Sequence, residues 1–331
     1  MKKVIVTGAT GMLGAHIACR LQMEGYEVTC IHHKSSKALF ENISKSYSIS
    51  ASAFSWVQAD ILDMDTLLPV FSGMDVVVHC AALVSYRKQD SDLLYETNVS
   101  GTRNCCNAAW KVRVSQFVYM SSIAALGKDV HSDFITEETP WVDSSRLTEY
   151  SKTKYYAELE VWRIAEEGLP VSILNPGVVI GAGDGKSGSN AIFGQVAKGL
   201  RFYPIGTTGF VGIEDVAMAA LSVIKNSITG NRYLLVSENL TYKELLMEVA
   251  KCMGKPAPKI RLGGVLLFVS TLIAKACEML SIPFPFPSQG LVSTSASFKY
   301  KNSNPLLLPD FQYTPVQKSV QTAVSGLKGL A

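Results

Sequence analysis

The chain has 331 residues, is 47% hydrophobic, and sets 31 Lys and Arg against 28 Asp and Glu for a formal charge of +3. At about 150 residues per domain, that length makes one large or two moderate domains, each able to bury a core. The near balance of charge excludes a dedicated nucleic-acid surface, which needs basic clustering. Seven cysteines (Cys19, Cys30, Cys80, Cys105, Cys106, Cys252 and Cys277) include no Cys-x-x-Cys pair and no zinc-type spacing with histidine. Reduced, buried thiols in a cytoplasmic protein are expected, with no metal. Lys2 and Lys3 precede only Val4–Val6 before Thr7 and Gly8 end the apolar run, so no leader is expected.

Val4–Thr7 reads as a strand, and Gly11–Glu24 as a helix closed by Gly25. Strands follow at Glu27–Ile31 and Phe54–Gln58, then a helix at Asp65–Phe71 and a strand at Val76–Cys80. A long helix, Leu93–Trp110, leads to strand Gln116–Met120, and helix Tyr150–Glu167 leads to strand Val171–Leu174. Continuous Val and Ile strands between helices predict a parallel sheet covered on both faces. Right-handed crossovers make this a Rossmann-type doubly wound α/β fold.

After Pro176 the pattern changes. Gly181–Gly188 is glycine-rich and reads as a mobile loop, Arg232–Val236 as a strand, and Thr241–Cys252 as a helix. Ile282–Pro287, with three prolines, reads as irregular. The expected division is a Rossmann domain over 1–180, to which 210–240 returns, and a smaller C-terminal lobe over 181–331. Leu262–Ala274 is the one strongly apolar late stretch, and Lys275 interrupts it. It falls short of the roughly 20 residues of a membrane span, which favours a buried or pocket-lining helix over one lying on a membrane surface.

The turn Thr7-Gly8-Ala9-Thr10-Gly11-Met12-Leu13-Gly14 joins the first strand to the first helix. Gly8 permits the tight turn, Gly11 lets the backbone approach a phosphate, and Gly14 lets helix and strand pack. The helix N-terminus offers free N–H groups and positive dipole to an anion. Strand, turn and helix all stand where a dinucleotide pyrophosphate needs them. The second glycine loop differs: a phosphate-binding loop of the NTPase kind needs glycine five positions before Gly185, where Ile180 stands. The second strand runs out at Ile31-His32-His33-Lys34, without the carboxylate that accepts from the ribose 2′-OH of NAD. Cationic groups there fit a 2′-phosphate and favour NADP over NAD, while Asp60, at the next strand end, can reach adenine.

Tyr150 is the one tyrosine of thirteen with a lysine four positions on, Lys154, on the same helix face. A free phenol has a pKa of about 10, and a nearby ammonium favours its phenolate. An exposed surface pair would show the same spacing. Ser122 follows strand Gln116–Met120, at the sheet edge where ligands of open α/β folds bind. A serine there can donate to a carbonyl oxygen as charge develops.

Together these features resemble the extended short-chain dehydrogenase/reductases, within the NAD-dependent epimerase/dehydratase superfamily, over nearly the whole chain. Thr7–Gly14 matches their Thr-Gly-x-x-Gly-x-x-Gly, Asp60-Ile61 their adenine-site pair, and His79-Cys80-Ala81-Ala82 their strand end beside the cofactor. Asn98-Val99-Ser100-Gly101-Thr102 is similar to their Asn-x-x-Gly-Thr helix, and Phe210–Ala217 to a late segment returning to the first lobe. Pro176–Gly181 looks like a segment of dihydroflavonol-reductase-like proteins, in which Pro176 and Val179 would meet the nicotinamide end; His33 stands where those reductases carry an arginine that selects NADP.

The resemblance implies Ser122, Tyr150 and Lys154 as the catalytic set. It also implies Asn98 holding a water in a proton relay, and a homodimer through the Tyr150 helix. The expected activity is hydride transfer between nicotinamide and a small-molecule carbonyl or alcohol substrate of apolar or aromatic character. Sugar-nucleotide epimerase or dehydratase chemistry, with the region of Arg201 taking a diphosphate, and a non-enzymatic NAD(P)-binding module are the alternatives.

Overall fold

The structure is a computed structural model and describes residues 2–128, 133–143, 147–280, 282, 287–302 and 311–328. Met1 and most of the proline-rich segment Ile282–Pro287 lie outside these residues.

The first half delivers the alternating pattern. Strands β1 (Lys3–Thr7), β2 (Glu27–His32), β3 (Ser55–Gln58), β4 (Val76–His79), β5 (Gln116–Met120) and β6 (Val171–Pro176) are interleaved with helices α1 (Met12–Met23), α2 (Ala38–Ser46), α3 (Met64–Phe71), α4 (Ser91–Tyr95), α5 (Gly101–Lys111) and α6 (Glu149–Glu166). The later chain adds β7 (Val178–Ile180), α7 (Ala191–Ala197), β8 (Phe202–Pro204), β9 (Thr207–Gly212), α8 (Ile213–Lys225), β10 (Asn231–Leu235), β11 (Glu238–Thr241), α9 (Tyr242–Met253), β12 (Ile260–Leu262), α10 (Gly264–Met279), α11 (Ser288–Ser295) and α12 (Val316–Lys328).

The central sheet has seven parallel strands in the order β10-β6-β5-β4-β1-β2-β3. Chain direction across the sheet reverses between β1 and β4, which opens a crevice at the carboxyl ends of these strands. One apolar layer packs β1, β2, β4, α1 and α8; the other packs β3–β6 with α3, α5 and α6. The four strand residues Val76–His79 are all buried, as expected of a sheet covered twice. A third cluster joins α7, α9, α12 and β9. There β11-β9-β7 form a small sheet, and β12 pairs β8.

The predicted long helix over 93–110 is one helical path with a flaw. Residues Glu96–Ser100 form a π turn between α4 and α5. Such one-turn bulges cluster at functional sites, and this one carries Asn98.

The glycine loop expected to be mobile is tied down. The Asp184 carboxylate accepts from the backbone N–H of Lys186 (2.8 Å) and Ser187 (2.9 Å). The Ala182 carbonyl lies 3.1 Å from His16 Nε2 on α1, and Asn190 donates to the Gly181 carbonyl at 3.2 Å.

The apolar stretch expected to be buried also differs. Helix α10 forms, but Ala274 is its only buried residue. Its inner side, Ala274 and Leu267, packs only on Leu262 and Leu291, too small a cluster to cover the rest. No helix among the described residues is long and apolar enough to cross a membrane. No disulfide joins any of the seven cysteines.

Candidate active site

Steric necessity accounts for the glycines of the first turn. Gly8 has φ +67° and sits on the exit of β4: a Cβ there would lie 2.6 Å from Ala81 N and 2.8 Å from the Cys80 carbonyl carbon. A Cβ on Gly14 would lie 2.4 Å from the Gly8 carbonyl oxygen. Gly11 N–H closes the turn onto Gly8 O at 3.0 Å. Helix α1 then begins at Gly11 with no side-chain cap and no acidic residue in its first turn. Its leading N–H groups, from Met12 and Leu13 onward, remain open to an anion beside Thr10.

Around this cradle the other predicted cofactor residues assemble. Cys80, Ala81 and Ala82 leave β4, the strand paired with β1. His33 and Lys34 follow β2, and Asp60 follows β3. His33 Nδ1 lies 3.6 Å from Asp60 Oδ2, so the carboxylate missing from the β2 end approaches from the neighbouring strand. Ile61 packs where a Cβ on Gly101 would stand, 2.6 Å from its Cδ1. Pro176 ends β6, and Val179 is buried in β7 beside Val211.

The triad gathers at the carboxyl edge of β5. Ser122 begins a short turn and accepts from Ala124 N–H at 3.1 Å. Thr148 caps α6 by accepting from Ser151 N–H at 3.1 Å, which sets Tyr150 in the first turn, beside Ser122. The Tyr86 ring lies 6.0 Å from that of Tyr150, edge-on. Burial pushes the Tyr150 phenol above its ordinary value, Tyr86 adds to this, and the Ser122 hydroxyl opposes both.

Lys154 is fully buried. It does not reach Tyr150 as the spacing suggested. Its ammonium donates to Tyr119 OH (2.8 Å) and to the Met120 carbonyl (2.9 Å). A buried ammonium without acceptors is costly, and β5 supplies them. Burial pushes this amine down to about 8, against Glu158 and Cys80, which hold it up.

A polar network that the sequence did not announce holds these groups in place. Ala81 N–H donates to Thr7 Oγ1 at 3.2 Å, which lies 2.7 Å from His79 Nδ1. His79 Nε2 lies 3.0 Å from Thr102 Oγ1, which donates to the Asn98 carbonyl at 2.6 Å. These directions require the neutral Nε2–H tautomer. Burial, then Lys154, pushes the His79 pKa down to about 3, consistent with that tautomer. The Tyr119 ring stacks on His79 at 5.6 Å.

The Asn98 side chain accepts from Leu83 N–H (2.7 Å) and donates to the Leu83 carbonyl (3.0 Å) and Thr153 Oγ1 (3.1 Å). It straps the loop after β4 to α6. Glu158, one turn after Lys154, is buried and accepts from Ser121, from Asn175 at 2.6 Å and from Arg232 at 3.2 Å. The i, i+4 spacing to Lys154 was the available signal for Glu158. Tyr119 had none, because its role depends on contact between β5 and α6. Among the described residues no cluster of His, Cys, Asp and Glu could hold a metal ion.

A doubly wound sheet with a glycine cradle at its switch point and Ser122, Tyr150 and Lys154 beside it defines a nucleotide-binding enzyme of the extended short-chain dehydrogenase/reductase type. Residues 4–236 match the model of the NAD dependent epimerase/dehydratase family, and the chain belongs to that family. A putative dihydroflavonol 4-reductase from Synechocystis sp. is 30% identical over 260 residues, 77% of this chain and 73% of that protein. Sterol demethylase protein B from Methylococcus capsulatus is 28% identical over 283 residues, 84% of this chain and 83% of that protein. The crystal structure of gox2253 superposes with a TM-score of 0.82 at 26% identity, over 100% of this chain and 99% of that one.

Proposed function

We propose that the chain is an NADP(H)-dependent reductase or dehydrogenase acting on an apolar or aromatic carbonyl or alcohol. The observation that carries this reading is Tyr150 set beside Ser122 at the switch-point edge, with Lys154 one helical turn on. A bound nicotinamide supplies or accepts the hydride. Ser122 orients and polarises the substrate oxygen, and Tyr150 gives that oxygen its proton. Lys154 stands ready for the nicotinamide ribose and, together with the positive charge of an oxidised nicotinamide, favours the phenolate. Asn98 holds the Leu83 loop and α6 at fixed spacing, which positions the set.

Thr7–Gly14 would hold the pyrophosphate, Asp60 and Ile61 the adenine side, and Cys80–Ala82, Pro176 and Val179 the nicotinamide side. The β2 exit favours a 2′-phosphate on His33 and Lys34. Residues 181–331 serve mainly as the substrate lobe, with 210–240 returned to the Rossmann domain through α8 and β10. Exposed Tyr156 and Leu159 on α6 support pairing of two copies through that helix. The names of the two relatives, a dihydroflavonol reductase and a sterol demethylase protein, support a bulky apolar substrate, as does the Tyr86 ring beside Tyr150.

Tyr150→Phe tests the reading. NADPH binding, followed by fluorescence, should persist while turnover of a carbonyl panel falls by about 10²–10⁴, the usual worth of a positioned acid–base group. Unchanged turnover would refute the assignment.

A further inference from the structure

Helix α10 is built inside out. At 3.6 residues per turn, Val265, Leu266, Phe268, Val269, Leu272, Ile273, Ala276 and Met279 share one arc of about 160°, and Ala274 and Leu267 lie opposite. The inner side packs on Leu262 and Leu291. The outer arc faces solvent: Val265 is 79% exposed, Phe268 65%, Leu272 50% and Met279 86%. Leu280 and Ile282 continue the stripe past the helix end, both more than half exposed. An ordinary surface helix presents the reverse pattern. A contiguous apolar face of this size marks an interaction site.

Its rim is basic. Strand β12 leads into α10, and β12 pairs β8 with Ile260 opposite Phe202, both exposed. Lys259 and Ile260 N–H both donate to the Arg201 carbonyl, at 3.1 and 3.0 Å, which gathers Arg201, Lys259 and Arg261 at this corner. All three are exposed, as is Lys275 on the flank of the stripe. None of the four pairs with a carboxylate among the described residues. The one acid of α10, Glu278, is spent on the backbone N–H (2.7 Å) and hydroxyl (2.9 Å) of Ser288.

We propose that α10 and the β8–β12 corner form a docking surface for an anionic lipid bilayer. The apolar stripe lies in the plane of the interface, and Arg201, Lys259, Arg261 and Lys275 meet the headgroups. A helix with one apolar face and a cationic border has the composition of an interfacial helix, and its length excludes a span. A second copy of the chain fits less well. The face of a second copy carries the same four cations and offers them no carboxylate partner.

The test is co-sedimentation of the full chain with phosphatidylcholine vesicles made with and without phosphatidylglycerol. The protein should pellet with the anionic vesicles at low salt, stay in solution with neutral ones, and be released by high salt. Lys259→Glu/Arg261→Glu should weaken partitioning by at least about 25-fold, taking about fivefold per cation. Phe268→Ser/Leu272→Ser should abolish it. These four side chains are exposed, and melting temperature and NADPH binding report that the variants are folded. Parent protein left in solution with anionic vesicles would overturn the proposal. So would serine variants that pellet like the parent. Sedimentation velocity showing a dimer dispersed by the serine substitutions, without vesicle binding, would assign the stripe to self-association instead.

Discussion

Replacing Gly14 by alanine probes the steric fit of the cofactor cradle. The new Cβ would lie 2.4 Å from the Gly8 carbonyl oxygen, 2.8 Å from its carbon and 3.0 Å from Ala9 Cα. Comfortable separations begin at about 3.5 Å, so turn and helix must part by about 1 Å. All three neighbours are backbone, so no side chain can rotate away. Overpacking of this kind costs about 1–3 kcal/mol. At about 2 °C per kcal/mol for a chain this long, Tm should fall by about 2–6 °C. The same displacement moves the Gly8–Gly14 N–H groups off the pyrophosphate. If about 1.4 kcal/mol or more of the strain falls on the bound state, NADPH affinity drops at least about tenfold.

Gly25→Ala is the control. Gly25 has φ +83° and nothing within 4 Å of an added Cβ, so alanine there costs backbone strain of about 1–2 kcal/mol and leaves the cradle alone. Thermal melts and NADPH titrations of both variants separate the two effects. Gly14→Ala binding NADPH as tightly as the parent would refute the cradle, however far its Tm fell.

His79 stays neutral in the fold down to about pH 3, whereas in the unfolded chain it gains a proton below about 6.5. The unfolded state therefore binds more protons across that window, and stability falls as pH falls from 6.5 to 3. His79→Asn should flatten the pH dependence of the urea midpoint there; a parallel profile would contradict the buried tautomer. Lys154, pushed down to about 8 from 10.5, acts in the same direction at higher pH. Against it, the buried thiols, raised in the fold from 9.0, make stability fall as the unfolded chain ionises, so Lys154→Met should steepen the alkaline loss of stability. Lys34→Glu should weaken NADPH by about tenfold or more, the worth of a lost charge-assisted contact, while NADH affinity holds. Equal losses for both nucleotides would remove Lys34 from the 2′-phosphate site.

What could be read in the sequence was local. Gly8, Gly11 and Gly14 announce the cradle because their constraint lies within eight residues of backbone. The Val and Ile runs announce the parallel sheet because burial on both faces leaves no alternation. The π turn at Glu96–Ser100 was hidden, since one extra residue in a helical path leaves the composition helical. The acceptors of Lys154 were hidden too: Tyr119 and the Met120 carbonyl lie on β5, about thirty-five residues earlier, and only the packing of β5 against α6 brings them together. The Asn-x-x-Gly-Thr motif gained reasons. Asn98 ties Leu83, Gly101 makes room for Ile61, and Thr102 fixes His79. The apolar run at Leu262–Ala274 could not declare its exposure, because burial depends on which neighbours the fold supplies. Here they are Leu262 and Leu291, on one side only.

Hydride transfer to a carbonyl at Ser122, Tyr150 and Lys154 can be followed atom by atom. Its most direct measurement uses NADPH carrying deuterium at C4, on each face in turn, with a panel of apolar and aromatic aldehydes and ketones. One labelled cofactor should deliver deuterium to the carbinol carbon of the product, and Tyr150→Phe should suppress that delivery while still binding NADPH. Saturable NADPH binding with no deuterium in any product, or turnover of a nucleotide sugar with no net change in cofactor, would contradict it.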